Sequence, residues 1–237
     1  MKVITIRLAA PLQSYGNVAT FNHRTTSLHP TKSAVIGIIA AALGYRREDN
    51  NILKLNQLKF AVRVDQPGTV MEDFQTVEWN KSKGSKLTYR EYIQDAVFLV
   101  AFGSDDDELM DNIFNALRRP KFALFLGRRS NPPAGVLEIE MFDSYSPLAV
   151  LKNKCWTASD WYKRKNKGKR EINVEIFYDS NLSNGGFAVP VKDEVISFDN
   201  RDRKHKARME KSEYISLDNP LYEDVGTIDH DAMSIFN

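Results

Sequence analysis

Apolar Ile4, Ile6 and Leu8 alternate with Thr5 and Arg7 at the start of the chain, the period of a half-buried strand, which predicts β structure over about residues 2–9. The alternation also lacks the continuous apolar run of a secretion signal. A polar loop (11–29) follows, and then a stretch that is apolar almost all the way round, with Val35, Ile36, Ile38, Ile39 and Leu43. That pattern predicts a buried helix, capped by Thr31 and closed by Gly44. Residues 60–65 alternate again, and 96–102 form an unbroken apolar run suited to a central strand.

Between those two strands lie polar and aromatic residues, among them Phe74, Trp79, Lys81, Lys83, Lys86, Tyr89, Arg90 and Tyr92, with a turn signal over 80–85. They predict a projecting hairpin. Residues 105–117 carry Leu109, Met110, Ile113, Phe114 and Leu117 on one helical stripe, with aspartates at the start and Arg118 and Arg119 at the end, as the helix dipole favours. A last alternation runs over 136–142. Strand, helix, strand, strand, helix, strand is the order of an α+β, ferredoxin-like domain of the kind used by RNA-recognition modules, predicted over 1–143 with its hairpin inserted at about 66–94. Beyond it, 144–237 predict a β-rich extension, with strand-like pieces at 174–178, 187–191, 195–198 and 214–217 joined by basic loops.

Composition narrows the function. The chain has 237 residues, 42% apolar and 27% charged, enough for an ordinary globular core. Its longest apolar stretch, 34–43, is far short of the roughly 20 residues needed to span a bilayer. One cysteine, Cys155, excludes an internal disulfide or a multi-cysteine zinc cluster and fits a reducing cytoplasm. The net charge of +2 is unevenly spread: 151–211 hold 15 basic and 9 acidic residues, whereas 212–237 hold 6 acidic and no basic ones. Basic runs at 163–170 and 201–208 are either solvated loops or a surface for a polyanion.

Three segments carry candidate chemistry. Leu126-Gly127-Arg128-Arg129-Ser130 sets two guanidinium forks directly after a glycine, a compact phosphate-binding corner or else a solvated turn. Pro30-Thr31-Lys32-Ser33 lies at the mouth of the first helix. It is no Walker loop, because Ser27 and Thr31 stand where that motif needs glycine, and it is either a single-phosphate site or a plain cap. Tyr89-Arg90-Glu91-Tyr92 interleaves rings and charge, for stacking on bases or for packing against protein. His23, His29, His205 and His230 show no metal-binding spacing. A metal-independent ribonuclease using His29 or His205 as general acid and base is the enzyme-class alternative, since RNA supplies its own 2′-hydroxyl nucleophile.

Leu8-Ala9-Ala10-Pro11-Leu12-Gln13-Ser14-Tyr15-Gly16, Pro30-Thr31-Lys32-Ser33-Ala34-Val35-Ile36-Gly37, Asp73-Phe74-Gln75-Thr76-Val77 with Tyr89-Arg90-Glu91-Tyr92, and the Leu126–Ser130 segment, taken in this order, resemble the CasD family. Its members are RAMP subunits of the type I-E CRISPR Cascade complex. The resemblance implies a non-catalytic, single-copy subunit that grips the 5′ handle of the CRISPR RNA, with no cofactor or metal. The hairpin, a thumb, is implied to insert against the adjacent backbone subunit and to touch the large subunit that inspects target DNA. A related type I-C branch cleaves the RNA itself. The implied RNA-binding residues are Gln13, Ser14, Tyr15, Lys32, Ser33, Arg128 and Arg129, joined by Arg24 and, in the basic stretch, by Arg201, Arg203 and Lys204. The implied thumb contacts are Phe74, Tyr89 and Arg90.

Overall fold

In a computed structural model of the chain, residues 1–16, 22–78, 84–144, 146–199 and 201–224 are described. The hairpin tip, with Trp79, Lys81 and Lys83, and the tail, with His230, lie outside them. The first strand, β1 (Lys2–Ala9), is a covered strand of the main sheet with Val3, Ile4, Ile6 and Leu8 buried. The two-residue strands β2 (Leu12–Gln13) and β3 (His23–Arg24) follow. Helix α1 (Lys32–Leu43) is capped by the Thr31 hydroxyl, which accepts from the Ala34 N–H, and it ends at Gly44. Beyond a short helix α2 (Asn51–Lys54) come β4 (Lys59–Gln66), the paired strands β5 (Thr69–Glu78) and β6 (Ser85–Gln94), and β7 (Val97–Ser104). Helix α3 (Asp107–Arg118), capped by Asp106, and β8 (Glu138–Asp143) complete the expected order.

One sheet of seven strands runs β10-β11-β9-β4-β7-β1-β8, where β9 (Glu171–Asp179), β10 (Val189–Ser197) and β11 (Lys204–Asp218) come from the last third of the chain. All its pairings are antiparallel. Alternation along β1 serves both sides of this sheet. Ile4, Ile6 and Leu8 pack with α1 and with Met110, Ile113 and Leu117 of α3, while Val3 joins Leu99, Ala101 and Ile176 beneath a helix that the sequence pattern missed, α4 (Pro147–Asn153). The described helices include none long and apolar enough to cross a membrane.

The last third is stitched to the first by a buried ion pair. Arg63 on β4 is fully buried with Asp65, and it also donates to the main-chain carbonyls of Leu151, Lys154 and Cys155, at 2.6 Å for Lys154 and 2.8 Å for Cys155. Asp65 in turn accepts from the Thr157 N–H at 2.7 Å. Each buried charge is thus fully partnered, which is what makes such a pair tolerable in a core.

Three expectations for this region are corrected. Pieces 187–191 and 195–198 belong to one irregular strand, β10. Most of the basic run 201–208 lies inside the 15-residue strand β11 rather than in a loop, and the run at 163–170 begins inside helix α5 (Asp160–Lys165). In the first half of β11 the inward positions hold Arg208 and Glu210, both buried, so apolar alternation marks only its far end, at 214–217.

Candidate nucleic-acid interface

The 126–131 loop is folded against the segment after β1. Leu126 is buried, its N–H donates to the Asn131 carbonyl at 2.7 Å, and its own carbonyl accepts from the Ser14 N–H at 3.2 Å. Gly127 sits at φ +86°, and a Cβ there would lie 1.5 Å from the Ser14 carbonyl oxygen. Only glycine permits this approach. Below it, the fully buried Tyr15 donates its hydroxyl to Gln13 Oε1 at 2.6 Å, and burial pushes that phenol above its ordinary pKa. Gln13 donates to the Ala96 carbonyl at 2.7 Å and Ser14 Oγ to the Glu91 carbonyl at 3.1 Å. Gln13, Ser14 and Tyr15, expected as RNA contacts, therefore have side chains turned inward to support the corner. The tight backbone approach at Gly127 requires that support.

A second sheet forms the ribbon beside this corner: β5 pairs with β6, and β6 also pairs with β2 and, in parallel, with β3. Strand alternation divides its two faces. One face carries Arg24, Arg90 and Tyr92, with Arg24 and Arg90 in register. The Arg128 guanidinium stacks over the Tyr92 ring at 4.3 Å and donates to the Arg24 carbonyl at 3.2 Å. Arg128 Nη1 and Arg90 Nε are buried without a hydrogen-bond partner among the described residues, and Arg129, next to Arg128 in the loop, is exposed. Arg24, Arg90 and Arg128 thus gather where loop and ribbon meet, with Arg129 next along the loop, and two of these arginines keep a donor with no partner among the described residues. A phosphate oxygen satisfies such donors better than water, because the fork is rigid and its charge permanent.

The opposite face carries Phe74 and Tyr89 as directly paired neighbours, exposed at 66% and 39%, with Val70 and Leu87 also uncovered. Arg90, expected as a thumb contact alongside them, points the other way. Period two along β6 decides this.

The helix mouth is a correction. Lys32 and Ser33 are buried: the Lys32 N–H donates to Asp193 Oδ2 at 2.7 Å, and its ammonium pairs with Asp179 at 2.9 Å. Arg208 completes the network against Asp193, Asp179 and Glu210. The positive end of α1 therefore already faces an anion, Asp193, supplied by β10 of the same chain.

A family model described as CRISPR-associated protein (Cas_Cas5) matches residues 3–213. This chain belongs to the Cas5 family. It is 30% identical over 169 residues to the CRISPR system Cascade subunit CasD of Escherichia coli (strain K12), covering 63% of this chain and 75% of that one. Among solved structures it is similar to a chain of a CRISPR RNA-guided surveillance complex, with a TM-score of 0.73 and 26% identity over 93% of this chain and 92% of that one. A crystal structure of a Cas protein matches with a TM-score of 0.66 and 26% identity, over 93% of this chain and 97% of that one.

The remaining candidate residues of this Cas5 chain lie elsewhere. Arg201, Arg203 and Lys204 are exposed at the start of β11, with Arg203 over the Phe198 ring at 5.8 Å and Lys204 paired to Asp202. In the sheet, β9 and β4 stand between β11 and the central strands β7 and β1. His29 is stacked flat on Phe177 at 3.9 Å, and burial holds its imidazole below the ordinary pKa. His205 lies edge-on to Phe198 with a buried Nε2 that has no partner among the described residues, and burial lowers its pKa as well, assisted by Arg203. What sequence reading missed is the Arg24–Arg128–Tyr92 stack, whose members are separated by 36 to 104 residues and share no local motif.

Proposed function

We propose that this chain is a non-catalytic, RNA-binding subunit of a type I-E Cascade, holding the 5′ handle of the CRISPR RNA at the corner formed by Arg24, Arg90, Arg128 and Arg129. The observation that carries this is the pair of buried, unspent guanidinium donors on Arg128 and Arg90 beside an aromatic platform. The core is ferredoxin-like in this reading, supported by the strand order β8-β1-β7-β4 with α1 and α3 on one face. The likeness to a subunit named for Cascade and to a chain of an RNA-guided surveillance complex supports the assembly.

The Phe74–Tyr89 face of the thumb docks on the adjacent backbone subunit and reaches the large subunit that meets target DNA. It is aromatic, exposed and separated by the ribbon from the cationic face, so protein and RNA are met on opposite sides. The non-catalytic assignment rests on the histidines: His29 is sealed against Phe177, and the lowered pKa of both His29 and His205 leaves them poor proton donors at neutral pH.

Handle-bearing RNA, titrated at several salt concentrations, tests the corner. Replacing Arg128 and Arg129 by Ala lowers affinity and reduces the log–log salt slope by about 0.7 for each single-strand phosphate that is no longer neutralised. An unchanged slope and affinity sinks the assignment. A discrete cut of repeat RNA in EDTA, abolished by changing His29 or His205, establishes the metal-independent nuclease instead.

A further inference from the structure

The ribbon face opposite the guanidiniums holds a second constellation. Glu72 on β5 and Glu91 on β6 are register partners, two like charges set directly across an antiparallel pair, an arrangement that costs stability unless a cation lies between them. His23 on β3 fills that place. Its Nε2 is 2.5 Å from Glu72 Oε2 and 3.9 Å from Glu91 Oε1, and the three donor atoms all lie within 4.8 Å of one another. The second oxygen of Glu91 accepts the Thr26 N–H at 3.0 Å, which fixes the carboxylate with one oxygen turned toward His23.

We propose that His23, Glu72 and Glu91 form a binding site for a divalent metal ion of the zinc class at the root of the thumb. One imidazole nitrogen and two carboxylate oxygens are the donors zinc takes, at about 2.0–2.2 Å each, leaving a fourth position for water or a ligand oxygen. Magnesium and calcium, which take oxygen ligands, fit less well because of the imidazole. The main-chain N–H on Glu91 has the character of an outer contact that orients a ligand. Glu72 is exposed, so an ion has an open path to the site. Each ligand comes from a different strand, so a bound ion ties β3 to the hairpin and holds Arg24, one residue after His23, in place on the opposite face.

The test uses the untagged, chelator-stripped full chain and zinc alone. Calorimetry at neutral pH is expected to show one saturable equivalent, with affinity reduced at least about 10-fold by His23→Ala and by Glu91→Gln, the loss typical even of outer-shell changes. His205→Ala, on a distant strand, leaves that affinity unchanged. Glu91→Gln keeps the shape and the Thr26 acceptor, so it carries the test if His23→Ala unfolds. The proposal falls if the wild-type chain shows no saturable equivalent, which leaves His23 as a hydrogen-bond partner of Glu72 rather than of both glutamates, or if Glu91→Gln binds zinc as the wild type does. No RNA enters the experiment, so its failure leaves the nucleic-acid reading untouched.

Discussion

Replacing Gly127 by Ala tests the corner at its tightest point. The added Cβ falls 1.5 Å from the Ser14 carbonyl oxygen and 2.6 Å from its carbon, against backbone that has no rotamer to yield. Relief requires the loop to withdraw by well over an ångström, which breaks the Ser14 N–H bond to the Leu126 carbonyl. Left-handed backbone for a residue with a Cβ costs about 1–2 kcal/mol, and the broken hydrogen bond costs about 1 kcal/mol. Opening the seal over Leu126 and Tyr15, both fully buried, adds about 1 kcal/mol for a few tens of Å² of apolar surface. The sum is about 3–4 kcal/mol, a fall in Tm of roughly 6–16 °C for a chain this long.

Gly135 is the internal control, because its φ is +82° yet nothing lies within 4 Å of a Cβ there. Gly135→Ala therefore carries only the backbone cost of about 1–2 kcal/mol. Urea unfolding of both variants, read at constant m, measures the difference. Gly127→Ala is also expected to weaken RNA binding, since Arg128 leaves the Tyr92 ring with the loop. If the two variants agree within about 0.5 kcal/mol, which is the scatter of ordinary surface substitutions, the close approach at Ser14 is not real.

Other positions give independent checks. Arg63→Ala leaves Asp65 charged and unpaired in the core, so urea unfolding is expected to show a loss of about 3–5 kcal/mol. Lys32→Met is expected to cost about 1–3 kcal/mol in the same measurement, because Asp179 loses its ammonium partner and keeps Arg208 and the Phe60 N–H, and to leave handle affinity unchanged; a selective loss of RNA binding would restore a phosphate role to the helix mouth. His29 has its pKa lowered by burial, and Arg208 adds to the shift while Asp193 and Glu175 oppose it. Below pH 6.5 the unfolded chain takes up this proton before the folded one does. Stability is thus full above that value and lost as pH falls toward the lowered folded pKa, by up to about 1.4 kcal/mol per pH unit. His29→Phe keeps the stack on Phe177 and removes this part of the slope; a urea midpoint that falls as steeply in the variant between pH 7.5 and 5 refutes it.

Local pattern alone determined the long strands and helices of the first 143 residues, though not the short β2, β3 and α2, because their apolar residues recur at helical or strand period and their ends carry the expected caps, as at Thr31, Gly44 and Asp106. The Gly127-Arg128-Arg129 segment stood out for a similar reason, since a glycine followed by two arginines is a contiguous signal, and the structure adds that this glycine has positive φ. Tertiary structure decided what could not be local. It turned Gln13 and Tyr15 inward and sent Arg90 to the face opposite Phe74. At the helix mouth it set Asp193, 161 residues from Lys32, where a phosphate was expected. It also gathered His23, Glu72 and Glu91 from three strands. A charge reads as exposed in a linear pattern until the partner that neutralises it arrives from elsewhere in the chain, and only the folded sheet brings the two together.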